Sequence, residues 1–141
     1  MRTVRIVFGT DEQTPLATAV VEDLRARGHD VEQVALEAWP EVGRAVGQAV
    51  ASGRAERGVV CCWTGTGVSM AANKVPGVRA ALCTDAATAV GARRWNDANV
   101  LAFGLRLTSP EVAREMLDAF LQAEPDESER DAISRVEGAP G

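Results

Sequence analysis

Gly58-Val59-Val60-Cys61-Cys62-Trp63-Thr64-Gly65-Thr66-Gly67-Val68-Ser69-Met70-Ala71-Ala72-Asn73-Lys74 is the stretch that decides how the chain folds. It opens on a short apolar run bounded by glycine, the pattern of a strand buried on both faces, and therefore of a parallel sheet. A polar, glycine-rich turn follows, and then a helical stretch from Val68 to Lys74. Glycines between a strand and a helix let backbone amides approach a ligand closely, and the helix N-terminus behind them favours an anionic oxygen. Tight strand-to-helix packing explains such a turn about as often as ligand binding does. No Gly-Lys-Ser/Thr follows at the spacing of a P-loop.

Outward from this unit the same alternation repeats. Thr3 to Phe8 is a β-rich run closed by a Gly9-Thr10-Asp11 turn, and Leu16, Val20 and Leu24 then recur at helical spacing up to Gly28, where a C-cap glycine belongs. Val31 to Leu36 predicts a second strand. Pro40, Val42, Val46, Ala49 and Val50 predict an amphipathic helix ended by Ser52-Gly53. Beyond a Pro76-Gly77 turn come a strand (Val78 to Cys83), a helix (Asp85 to Trp95), a strand (Val100 to Phe103) and a last strong helix. That helix opens with Pro110 behind Ser109 and carries Val112, Met116, Leu117, Phe120 and Leu121 on one side.

Strands alternating with helices predict an α/β fold, a doubly wound parallel sheet in a single three-layer domain over residues 1–122. Residues 123–141 form an acidic C-terminal tail, either loose or docked on another subunit. Ligands in such sheets bind at the carboxyl ends of strands near a topological switch point. Three loops are candidates: Gly9 to Thr14, Trp63 to Gly67, and the one around Thr84-Asp85.

The 141 residues are 46% hydrophobic with a net charge of −5, enough for a proper core and without the basic stripe that nucleic acid or an anionic membrane face would need. No apolar run approaches the ~20 residues of a membrane span, and the opening residues are too short and charged for a signal peptide. A cytoplasmic protein is expected. Three cysteines with no C-x-x-C spacing fit reduced thiols. One histidine, His29, leaves little room for a metal site or a triad. It lies beside Gly28, far from the loops, and reads as a surface residue. Trp39 is assigned to core or interface, and Lys74 to the C-terminus of its helix. Cys62 ends its strand beside the glycine loop, where a helix dipole could lower its pKa, although a free thiol is usually a small buried hydrophobe. Cys61, one residue earlier, faces the other way.

Cys62, Thr64-Gly65-Thr66-Gly67, Ala71 to Cys83 and Asn96-Asp97-Ala98-Asn99-Val100-Leu101-Ala102-Phe103-Gly104 closely resemble the ribose 5-phosphate isomerase B and galactose 6-phosphate isomerase family. The likeness covers most of the chain. It implies a Rossmann-like homodimer or tetramer with active sites shared between subunits, needing no metal or cofactor. It also implies interconversion of an aldose and a ketose through a cis-enediolate. Carried over, Cys62 moves the proton between the two carbons, and Thr64, Gly65 and Gly67 line the anion-binding loop. Asp11 binds sugar hydroxyls or assists ring opening, and Asn96 contacts the reacting end. Arg106 falls on a family arginine, and Arg130 and Arg135 are counterparts of two phosphate-binding arginines in the tail.

The departures are specific. Family members resembling ribose 5-phosphate isomerase carry Asp-His-Ala-Gly after the first strand, where this chain has Asp11-Glu12-Gln13-Thr14. A Glu⁻ ~4 Å from a phosphate costs several kcal/mol at an effective dielectric of ~20. Trp95 stands in place of the histidine assigned to ring opening, and indole offers only an N–H donor. Trp63 replaces the glycine after the cysteine and adds a flat face suited to stacking. The Gly-Gly-Arg-His pattern of the tail is missing, so placing Arg130 and Arg135 takes an insertion, and solvated tail charges explain them equally well. The expected activity is isomerisation of a non-standard or unphosphorylated sugar, with Glu12 as a second acid/base or hydroxyl ligand. The alternative is a non-catalytic homologue, a binding or regulatory subunit; galactose 6-phosphate isomerase resembles this situation in pairing two related chains that contribute different residues.

Overall fold

Parallel pairing of apolar strands sets the architecture. The computed structural model describes residues 2–137. Its strands β1 (Arg5–Thr10), β2 (Asp30–Gln33), β3 (Arg57–Cys62), β4 (Ala80–Leu82) and β5 (Val100–Gly104) form one parallel sheet in the order β2-β1-β3-β5-β4. Helices α1 (Pro15–Ala26), α2 (Trp39–Ala51), α3 (Thr66–Asn73), α4 (Ala86–Asn96) and α5 (Pro110–Gln122) flank it, and a 3₁₀ turn (Glu127–Glu129) leads into α6 (Arg130–Val136).

Side-chain alternation along the strands divides the core into two layers. Ile6, Phe8, Val59, Cys61, Leu101 and Phe103 pack with α1, α4 and α5. Val7, Val60, Cys62, Val100 and Ala102 pack with α2 and α3. Three helices start on side-chain caps: Thr14 accepts from Ala17 N–H, Asp85 from Thr88 N–H and Ser109 from Val112 N–H. Such caps contribute about 1 kcal/mol each. The expected doubly wound α/β sheet is therefore present.

Local differences have local causes. Gly9 and Thr10 are not a turn; they extend β1 and pair with Val60 and Cys61. A Cβ on Gly9 would lie 2.8 Å from Val42 and Val46 methyls, so this glycine serves the close approach of α2 to the sheet. β2 stops at Gln33 rather than Leu36, because it is an edge strand with β1 as its partner and the last rung runs from Val34 N–H to Phe8 O. β4 is shorter than Val78 to Cys83, since Val78 N–H is held in the Pro76-Gly77 turn by Val75 O. Lys74 closes α3 through its backbone N–H, not its ammonium. In the tail, Asp126 N–H donates to Arg94 O, and the Asp126 carboxylate pairs with the Arg94 guanidinium at 3.1 Å, so the described part folds against α4 of its own chain.

His29 is not on the surface. It is 6% exposed, and its Nδ1 accepts from Val4 N–H at 3.1 Å, because the start of β2 lies beside the residues leading into β1. Burial, helped by the nearby Arg27 cation, holds its pKa below the ordinary 6.5. Folding thus favours neutral His29. Its contribution to stability is complete above pH 6.5 and is lost as pH falls through the lower folded-state value. The urea midpoint of the wild-type chain should accordingly fall further than that of His29→Gln between about pH 7.5 and about pH 5.5. Equal falls would show that His29 titrates alike in both states.

Candidate functional site

The strand order changes direction between β1 and β3, and that is where the candidate residues meet. Thr10 pairs with Cys61, so Asp11, just past β1, lies beside Cys62 and Trp63 at the end of β3. Asp11, Glu12 and Trp63 line an open cavity of about 510 Å³. Cys62 is 5% exposed and packs with Val60 and Val68 on the α2–α3 side.

The loop after Cys62 is fixed by the end of β5. Leu105 N–H donates to Cys62 O at 2.8 Å, and Arg106 N–H to Trp63 O at 2.9 Å. Gly65 has φ of +80°, and a Cβ there would lie 2.6 Å from the Phe103 carbonyl carbon, so both conformation and space require glycine. The Thr64 and Thr66 hydroxyls are 2.8 Å apart. As N-cap of α3, Gly65 supplies no side-chain acceptor, which leaves the first amides of that helix open to a ligand oxygen.

Burial acts on the ionisation of Cys61, Cys83 and Asp11. Burial pushes the Cys61 thiol up to about 12 and the Cys83 thiol up to about 11, so both stay protonated at neutral pH. Neither faces the loop; both pack in the layer with α1, α4 and α5. Burial, and to a lesser extent the negative Glu12 beside it, raises the Asp11 carboxyl above its ordinary 3.8. Thr10 Oγ1 donates to Glu12 O and accepts from Glu12 N–H, which fixes the Glu12 backbone while its side chain stays exposed.

Cys62, Trp63, Thr64, Gly65, Gly67, Asp11, Glu12 and Arg106 are thus brought to one end of the sheet. Trp95 and Asn96 are not. They close α4 at the opposite end, where the strands begin, and line a groove of about 1080 Å³ bordered by β4 and α6. β3 is six residues long, so the two ends lie roughly 17 Å apart at ~3.3 Å per residue. Arg130 and Arg135 sit exposed on α6, paired with Glu127 at 3.0 Å and Asp131 at 3.2 Å. Sequence reasoning missed the place of Trp39. Its ring lies against Gly67, 2.8 Å from where a Cβ would be, and it remains 43% exposed as a wall of the loop. A tryptophan opening a helix on the carboxyl side of the sheet was the available signal. Among the described residues no group of three His, Cys, Asp or Glu side chains could hold a metal ion, and no helix is long and apolar enough to cross a membrane.

The family profile described as Ribose/Galactose Isomerase matches residues 6–137. Ribose-5-phosphate isomerase B of Escherichia coli is 38% identical over 128 residues, covering 85% of this chain and 85% of that protein. The DNA damage-repair/toleration protein DRT102 of Arabidopsis thaliana is 45% identical over 122 residues, 84% of this chain but 39% of that protein, so the chain spans well under half of its length. A solved ribose 5-phosphate isomerase from Thermotoga maritima superposes with a TM-score of 0.92 at 31% identity, covering 98% of this chain and 100% of that one.

Gly65→Ala should destabilise the chain by about 1–3 kcal/mol, from left-handed strain and the clash with Phe103. Urea unfolding reads this directly, and an unchanged midpoint would mean that the loop relaxes freely.

Proposed function

The chain belongs to the ribose/galactose isomerase family, and from that premise we propose that it interconverts an aldose and a ketose without a cofactor, Cys62 moving the proton. The observation that supports this best is the position of Cys62, at the switch point and beside a loop that opens α3 without a side-chain cap. In the forward direction the Cys62 thiolate takes the proton from the carbon next to the aldehyde. The electron pair moves into a cis-enediolate, and the Cys62 S–H returns the proton to the former aldehyde carbon. Negative charge developing on the enediolate oxygens is met by the amides that open α3, with Thr64 beside them. Asp11, with its raised pKa, moves the proton between the two oxygens or opens the sugar ring.

Substrate choice is redirected in this proposal. Asp11 and Glu12 make one wall of the cavity beside Cys62 acidic, and Trp63 offers an apolar face for a sugar ring. A phosphate at that wall is disfavoured, so the favoured substrate is a non-standard or unphosphorylated sugar, with Glu12 as second acid/base or hydroxyl ligand. Trp95 cannot shuttle a proton, and ring opening passes to Asp11 and Glu12. Asn96, Arg106, Arg130 and Arg135 complete the substrate contacts. Since Cys62 and Asn96 lie at opposite ends of one sheet, the proposal includes a homodimer in which each site takes residues from both chains. The three free cysteines fit a reducing cytoplasm.

The test is proton exchange in D₂O with a panel of phosphorylated and unphosphorylated aldoses. Turnover by the purified chain is expected, and Cys62→Ala should lower it by about 10²–10⁴-fold. Exchange that survives Cys62→Ala removes Cys62 as the base. No exchange with any sugar, together with binding of one of them unchanged, would favour a non-catalytic binding subunit. Glu12→His should raise the preference for phosphorylated over unphosphorylated substrate by about tenfold; an unaltered ratio would remove Glu12 from specificity.

A further inference from the structure

Away from the Cys62 loop, the densest set of polar contacts centres on Arg79, between the Pro76-Gly77 turn and β4. Its guanidinium donates in two directions. Nε reaches Asp97 O at 2.8 Å and one Nη reaches Asp97 Oδ2 at 3.3 Å, while the other Nη reaches Glu137 Oε1 at 2.9 Å. Glu137 also accepts from Gly77 N–H at 3.2 Å. Asp97 is held from its other side by Arg93, at 2.7 Å. The Arg93 side chain is 2% exposed and also donates to Ala98 O at 2.8 Å and Ala123 O at 3.2 Å. Two cations and two carboxylates thus balance one another.

The contacts converge on a strained point. Asp97 is the one non-glycine residue with positive φ, +47°, among the described residues, and it directly follows Trp95 and Asn96. A carboxylate gripped by two guanidiniums over-determines that conformation. The same Arg79 head group holds Glu137, just past the end of α6, the helix that carries Arg130 and Arg135.

We propose that Arg79 is a positioning residue that fixes, through one guanidinium, both the end of α4 with Trp95 and Asn96 and helix α6, so that the two segments present their side chains to substrate in register. This rests on the assignment of Asn96 and the tail arginines as substrate contacts. Lysine carries a single nitrogen where the guanidinium has three, and cannot span Asp97 and Glu137 together, so Arg79→Lys is not a conservative change here.

Amide hydrogen exchange of the full chain tests the coupling without any substrate. In Arg79→Ala, exchange over residues 94–99 and 130–137 should quicken together by at least about fivefold, with the Trp63–Gly67 loop unchanged. Glu137→Ala should free residues 130–137 alone. Acceleration of only one segment in Arg79→Ala, or acceleration spread over the whole sheet, overturns the coupling. In the isomerase assay, Arg79→Ala should raise KM about tenfold and leave kcat within about twofold, with Arg79→Lys intermediate. An unchanged KM, or a parallel loss in kcat, overturns the positioning role. If Arg79→Ala does not fold, Arg79→Lys and Glu137→Ala carry both measurements. A wild-type chain without turnover fails the isomerase assignment, while the exchange pattern still decides the coupling.

Discussion

The backbone of Thr64 and Gly65 lies so close to the end of β5 that no side chain fits between them. A Cβ on Gly65 would meet Phe103, and one on Gly104 would meet Thr64 O at 2.8 Å. This seam, closed by hydrogen bonds from Leu105 and Arg106 to the carbonyls of Cys62 and Trp63, fixes where β3 ends and where α3 begins. The direction of the open amides, the depth of Cys62 and the mouth bounded by Asp11, Glu12 and Trp63 all follow from it. A looser loop would leave the same residues present without a common focus.

Position relative to the sheet then separates chemically similar groups. Three thiols occur in the chain, and a single residue step along β3 separates one in the α1–α4–α5 layer from one beside the glycine loop. Two neighbouring carboxylates differ in their surroundings: Asp11 is partly buried and holds its proton more tightly than a free aspartate, while the Glu12 side chain is exposed. Position relative to the sheet gives residues of one type different surroundings.

Much of this is written in local sequence. The apolar run before Cys62, the cap Ser109 with Pro110 behind it, and the helical stripes report elements directly, because their physics is confined to a few neighbouring residues. Gly9 misleads, since a glycine needed for a turn and one needed for close approach of α2 look alike in sequence. His29 misleads for a related reason: its neighbour Gly28 is a loop residue, and only the alignment of the chain before β1 with that before β2 buries it. Asp11 and Cys62 could be placed at one end of the sheet from topology alone. The contacts of Arg79 with Asp97 and Glu137 and the stacking of Trp39 on Gly67 join segments distant in sequence, and no local pattern marks them.

Adjacent cysteines on a strand have a consequence for oxidation. Cys61 and Cys62 point into opposite layers, and Cys83 lies in the same layer as Cys61. A sulfenic acid formed on Cys62 would therefore find no second thiol on its own side of the sheet with which to condense. Cys62, the most exposed of the three thiols at 5%, thus has no resolving cysteine in its own layer among the described residues.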